Sequence, residues 1–141
     1  MLELKTTFLC TFELEFHPPR MLGQTPLGQR LIADFIGGRI TGPRINGRLL
    51  PSGADWLLIG TDGCGRIDVR AVLEMDDSAL AYVSYNGRLN IPAELMGPLF
   101  DRDKVETIDP SKCYFRSAPT FETSSAKYAW STRSRQLPLA V

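Results

Sequence analysis

Residues 66–75 constrain this chain more than any other stretch. Ile67, Val69, Ala71, Leu73 and Met75 share one parity, while Arg66, Asp68, Arg70 and Glu74 share the other. A period of two suits a strand with one buried face and does not suit a helix. Phe8, Cys10, Phe12, Leu14 and Phe16 alternate in the same way with Thr7, Thr11, Glu13 and Glu15, which predicts a first strand. Short runs at 31–36, 39–40, 46–50 and 56–59 are punctuated by Gly37-Gly38, Gly42-Pro43 and Pro51-Ser52-Gly53, which read as tight turns. Asp62-Gly63 and Asp76-Asp77-Ser78 read as turns on either side of the alternating run, and Asn86-Gly87 as a hairpin turn after a strand over 80–85.

The segment 17–29 holds Pro18, Pro19, Gly23, Pro26 and Gly28 and is expected to be an irregular connection, placed to lie over the mouth of an interior. One helix is predicted, from Pro92 through Ala93, Glu94, Leu95 and Met96 to about residue 99 or 100, limited by Gly97-Pro98. Strands over 113–123 and 128–137, joined through Thr123-Ser124-Ser125-Ala126, are expected to end the chain. The fold class is therefore all-β: a single antiparallel β-barrel of lipocalin-like size with one short helix, residues 1–141 forming one domain. A barrel is preferred to a sandwich because closure removes the strand edges that about eight to ten aromatic-rich strands expose, and such a barrel can hold one small ligand.

Sixteen Lys+Arg balance sixteen Asp+Glu, so no overall field draws the protein to nucleic acid or anionic lipid. No apolar run approaches the roughly 18 residues of a membrane span, and the opening segment carries Glu3, Glu13 and Glu15 where a signal peptide is basic and then apolar. The expectation is a cytoplasmic protein without nucleic-acid or membrane partners. Cys10, Cys64 and Cys113 form no CxxC pair and His17 is the only histidine, so reduced thiols, no metal and no cofactor are expected.

Candidate chemistry rests on polar rows. Asp68 and Arg70 share a strand face, and Tyr114, Arg116, Ala118, Thr120 and Glu122 share another. Such a row is either a solvated outer face or the lining of a lumen in which opposite charges must pair. Phe115, Ser117, Pro119 and Phe121 alternate with that second row, so both faces carry aromatics. Asp55 stands beside Trp56 after a turn it can cap, and Trp56 and Trp130 serve either as core or as ligand platforms. Tyr82 and Tyr85 point to opposite faces, so at most one lines an interior.

The chain resembles the family termed domain of unknown function 3237. The resemblance is carried by Gly37-Gly38-Arg39-Ile40-Thr41-Gly42-Pro43, Gly47, Gly53-Ala54-Asp55-Trp56, Asp62-Gly63, Ile67-Asp68-Val69-Arg70, Asp77 and Ala79. It is strongest in Tyr114-Phe115-Arg116-Ser117-Ala118-Pro119-Thr120-Phe121-Glu122-Thr123 followed by Tyr128-Ala129-Trp130. Ser52, Ala71, Ser78 and Ser131-Thr132 depart from the pattern. The resemblance implies a compact β-barrel, members that associate into homo-oligomers, and no particular reaction. The matching polar positions are Asp55, Asp68, Arg70, Arg116 and Glu122, with Trp56, Tyr114 and Trp130 as aromatic companions.

Three functions compete at this level. The first is a binding module enclosing a small apolar or aromatic molecule, with Asp55, Trp56, Arg70, Tyr114 and Trp130 as ligand contacts. The second is a metal-free isomerase, cyclase or lyase of secondary or aromatic metabolism. In it Asp68 or Glu122 abstracts a proton and Arg116 or Tyr114 stabilises the enolate. The third is a structural or oligomeric protein with its aromatics in subunit contacts, which a filled interior favours.

Overall fold

Alternation becomes strand along most of the chain in the computed structural model, which describes residues 5–99, 101 and 103–133. Nine strands form one antiparallel sheet: β1 (Thr11–Phe16), β2 (Arg20–Thr25), β3 (Gly28–Thr41), β4 (Gly47–Asp55), β5 (Leu58–Ile59), β6 (Gly65–Met75), β7 (Leu80–Asn90), β8 (Tyr114–Ser117) and β9 (Thr120–Glu122). The long strands are β3, β6 and β7, and shorter strands share their flanks. β1 pairs with the later half of β3 and β2 with the earlier half, while β4 and β5 divide the space between β3 and β6. On the far side of β7, β9 takes the first half and β8 the second. The sheet curls into a barrel over one core that includes Leu31, Phe35, Ile40, Leu49, Leu73 and Phe121.

The run at 66–75 behaves as its alternation demands. Ile67, Val69, Ala71, Leu73 and Met75 are all buried, and Leu73 has no exposed surface at all. Helix α1 (Ala93–Leu99) forms where proline at the first turn predicted it.

Several expected turns are instead strand interior. Gly37-Gly38 lies within β3, where a register shift marks a bulge, and a Cβ on Gly38 would run into the Glu13 carbonyl oxygen. Pro51-Ser52-Gly53 lies within β4, where Gly53 has φ +94° and sits against the Arg70 carbonyl. Glycine here lets a long strand bend and a neighbour approach rather than reverse the chain. Asn86-Gly87 is likewise continuous β7: a Cβ on Gly87 would meet the Arg116 carbonyl oxygen, so the glycine admits β8. Segment 17–29 is also more regular than expected, since β2 and β3 form a hairpin closed by Thr25, whose hydroxyl donates to the Gly28 carbonyl at 2.8 Å.

The chain after β9 corrects the expected final strand. Ala126–Tyr128 is a 3-10 turn leading into helix α2 (Ala129–Arg133), and residues 134–137 of the expected strand lie outside the described residues. Tyr128 is buried, its hydroxyl lies 3.4 Å from Asp77 Oδ2, and Lys127 Nζ donates to the same oxygen at 2.8 Å. Charge at the β6–β7 turn thus pins a packed turn and helix where periodicity alone reads strand.

Candidate active site

Residues directly opposite in an antiparallel ladder point to the same face. Ala33, Asp55, Val69 and Tyr85 are successive partners across β3, β4, β6 and β7. Ala33 and Val69 are buried in the core, so Asp55 and Tyr85 also project from the inner wall. Two strand spacings separate them, about 10 Å between Cα atoms, with the Val69 side chain between.

The flanks of the sheet are broken at this level. β1 reaches Phe16 opposite Phe35 and β2 resumes at Arg20 opposite Ile32, so the segment facing Ala33 and Asp34 is His17-Pro18-Pro19. A single bond crosses there, from His17 N–H to the Asp34 carbonyl at 2.9 Å. On the other flank β9 ends its pairing at Ser84, and β8 pairs from Gly87 onward. Ala118-Pro119 fills that gap, held by one bond from Ala118 N–H to the Asn86 carbonyl at 3.1 Å. Proline has no amide hydrogen to extend a ladder, which explains both interruptions.

Asp55 is half-buried, and its carboxyl pKa is raised to about 6. Burial is the main cause. The Asp68 N–H, donating to Asp55 Oδ1 at 3.2 Å, opposes the rise, the Asp68 charge adds to it, and Arg30 opposes it weakly. Tyr85 is held protonated well above the usual phenol range, by burial first and by the Asp55 charge second. Among the described residues neither the second Asp55 oxygen nor the Tyr85 hydroxyl has a hydrogen-bond partner. Arg30 Nη1 donates to the Trp56 carbonyl at 2.6 Å, and Trp56 N–H donates to the Asp68 carbonyl at 2.9 Å, so the backbone beyond Asp55 is clamped from both neighbouring strands. A carboxyl of this kind exchanges a proton near neutral pH, and a protonated phenol can donate to an oxygen that gains charge.

The other residues singled out from sequence lie elsewhere. Asp68 projects to the outer face and pairs with Arg70 at 3.4 Å, while Arg70 also lies over the Trp56 ring at 5.5 Å. Tyr114, Arg116 and Glu122 are exposed, so of the two readings of their row the solvated outer face holds and the lumen lining does not, while Phe115, Ser117 and Phe121 turn inward. Arg116 Nη1 donates to the Phe115 carbonyl at 2.7 Å and covers the Tyr114 ring at 5.1 Å. Trp130, on α2, packs on the core beneath Arg44, whose guanidinium lies 3.7 Å from the ring centre. Of the eight residues, the structure therefore gathers Asp55, Trp56, Asp68 and Arg70, with only the Asp55 carboxylate on the inner wall. Arg30 is absent from the sequence reading, which leaves Tyr85 as one of two alternatives with Tyr82. The parity that Tyr85 shares with Ala81 and Val83 is the signal that places its ring inside.

Two recesses lie away from this row. One, about 590 Å³, is an open groove on the outer face of β1 and β3, lined by Phe8, Glu13, Arg39 and Pro43 among others. The other, about 10 Å³, lies between Ile59, Gly65, Leu89 and Met96 of α1, and is at the lower limit for one water. Among the described residues no group of three potential metal ligands occurs, and no helix is long and apolar enough to cross a membrane.

Residues 4–135 match the family described as protein of unknown function (DUF3237). A UPF0311 protein of Clostridium acetobutylicum is 35% identical over 113 residues, covering 79% of this chain and 70% of its own. The crystal structure of a conserved protein of unknown function from Rhodopseudomonas palustris superposes with a TM-score of 0.76 at 29% identity, over 92% of this chain and 87% of the other. A structure described as an enzyme from Penicillium herquei, 22% identical, has a TM-score of 0.60 over 95% of this chain and 85% of its own, and shows the shared fold alone.

Proposed function

The chain belongs to the DUF3237 family, and on that premise we propose that its inner wall binds a small apolar or aromatic carbonyl compound and moves a proton on it. Asp55 acts as the base and the Tyr85 hydroxyl supports the resulting enolate. The observation that carries this reading is the position of the Asp55–Val69–Tyr85 row at the one level where proline interrupts both flanks of the sheet. Asp55 and Tyr85 are the polar members of a cross-strand row whose other members, Ala33 and Val69, are buried hydrocarbon.

The chemistry follows from the surroundings. A carboxylate with a pKa of about 6 is a stronger base than an exposed one and is still ionised at neutral pH. A phenol kept protonated donates a hydrogen bond without taking part in titration, as oxyanion stabilisation requires. Asp68, proposed from sequence as the base, is tied to Arg70 on the outer face, and Glu122 faces outward, so the role passes to Asp55. That a structure of the same fold is described as an enzyme is compatible with this reading and adds only fold-level support.

A direct test follows the exchange of α-hydrogens of 2-tetralone in deuterated buffer by proton NMR. The wild type is expected to exchange them about a hundredfold faster than Asp55→Asn. Equal rates for a folded variant and the wild type would remove Asp55 from the chemistry.

A further inference from the structure

The outer face of β6, β7 and β8 carries a second unusual row. Arg66 on β6 lies directly opposite Arg88 on β7, and Arg88 lies directly opposite Arg116 on β8. All three are exposed. None forms an ion pair among the described residues: Arg88 and Arg116 donate only to the carbonyls of the residues before them, at 3.1 and 2.7 Å. Asp68, the carboxylate two residues along from Arg66, is taken by Arg70. Like charges directly opposite each other oppose strand pairing. Nothing in the composition forces this arrangement, since the chain has as many acidic as basic residues.

We propose that this row binds a small molecule through a di- or triphosphate chain. Neighbouring strands are about 4.8 Å apart, so the three guanidiniums run along about 10 Å of surface. One phosphate cannot engage all of them, whereas two or three linked phosphoryl groups can. Guanidinium presents paired donors that match phosphoryl oxygens, and a polyanion cancels the mutual repulsion of the row. The site is independent of the Asp55 wall, because its side chains have the opposite strand parity.

The test is calorimetric titration of the full chain with inorganic tripolyphosphate at low ionic strength. Binding at one site is expected, weakened by added salt and reduced about tenfold by Arg88→Gln. Arg48→Gln, which removes an exposed arginine already paired with Glu74, is expected to leave the affinity unchanged. The Arg88→Gln protein should unfold no earlier than the wild type, so a loss of binding reads as loss of the site. Absence of binding by the wild type, or equal affinity in an Arg66→Gln/Arg88→Gln double variant, overturns the proposal. Affinity for single-stranded oligonucleotides that rises with their length, with none for tripolyphosphate, also overturns it and assigns the row to a nucleic-acid backbone.

Discussion

The inner row Asp55–Val69–Tyr85 and the outer row Arg66–Arg88–Arg116 share strands β6 and β7, offset along them, yet their polar groups live under opposite rules. Inside, hydrocarbon neighbours make charge expensive, and the carboxyl responds by holding its proton up to about pH 6. Outside, three cations face one another with no carboxylate partner among the described residues, and water screens them. One side of the sheet therefore shifts a polar group by desolvation, and the other gathers like charge in water. The difference teaches that strand parity, more than residue type, decides what a polar group in this protein can do.

The largest expected effect comes from breaking the scaffold common to both rows. Leu73→Ala removes a side chain with no exposed surface from β6 and should cost about 2–5 kcal/mol. Chemical denaturation would register it as a lower midpoint at an unchanged slope. Both rows depend on β6, so the variant should weaken them together.

Asp55→Asn separates the rows. The Asp55 carboxyl titrates at about 6 when folded against an ordinary value of 3.8, so the folded state binds the proton more tightly. Stability from this group is full below pH 4 and falls as pH rises through 6, by about 3 kcal/mol when integrated over the separation. The asparagine variant should therefore be more stable than the wild type at pH 7.5, by about 1–3 kcal/mol, with the gain vanishing near pH 4. Thermal unfolding across that pH range checks the sign.

Tyr85→Phe sharpens the account of the inner row. It keeps the packed ring and removes a hydroxyl without a partner among the described residues, so stability should change by less than about 1 kcal/mol. The Asp55 midpoint should stay near 6, because burial and not the phenol sets it. The smallest effect belongs to the outer row: Arg88→Gln should raise stability by about 0.2–1 kcal/mol at low salt, with the gain fading at high salt. Paired denaturation curves at two ionic strengths measure it.

Much of this architecture was legible in the residues. The buried parity of β6 came directly from its alternation, and α1 from its proline and helix formers. Glycine misled where it serves close approach: Gly38, Gly53 and Gly87 sit against neighbouring carbonyls inside strands, and no local pattern distinguishes that use from a turn. Trp130 escaped assignment because the Asp77 contacts that hold α2's approach span about fifty residues of sequence. From sequence Asp68 and Glu122 read as the bases and Asp55 only as a ligand contact, since the face of a polar residue depends on cross-strand register. That register appears only when the ladders are assembled.

The central claim is that Asp55 stands in the apolar inner wall with its proton affinity raised by burial. The direct measurement is a carbon-13 NMR titration of its side-chain carboxyl, assigned by comparison with Asp55→Asn. The account predicts a midpoint near pH 6. A midpoint near pH 4, the range of an exposed aspartate, would contradict it.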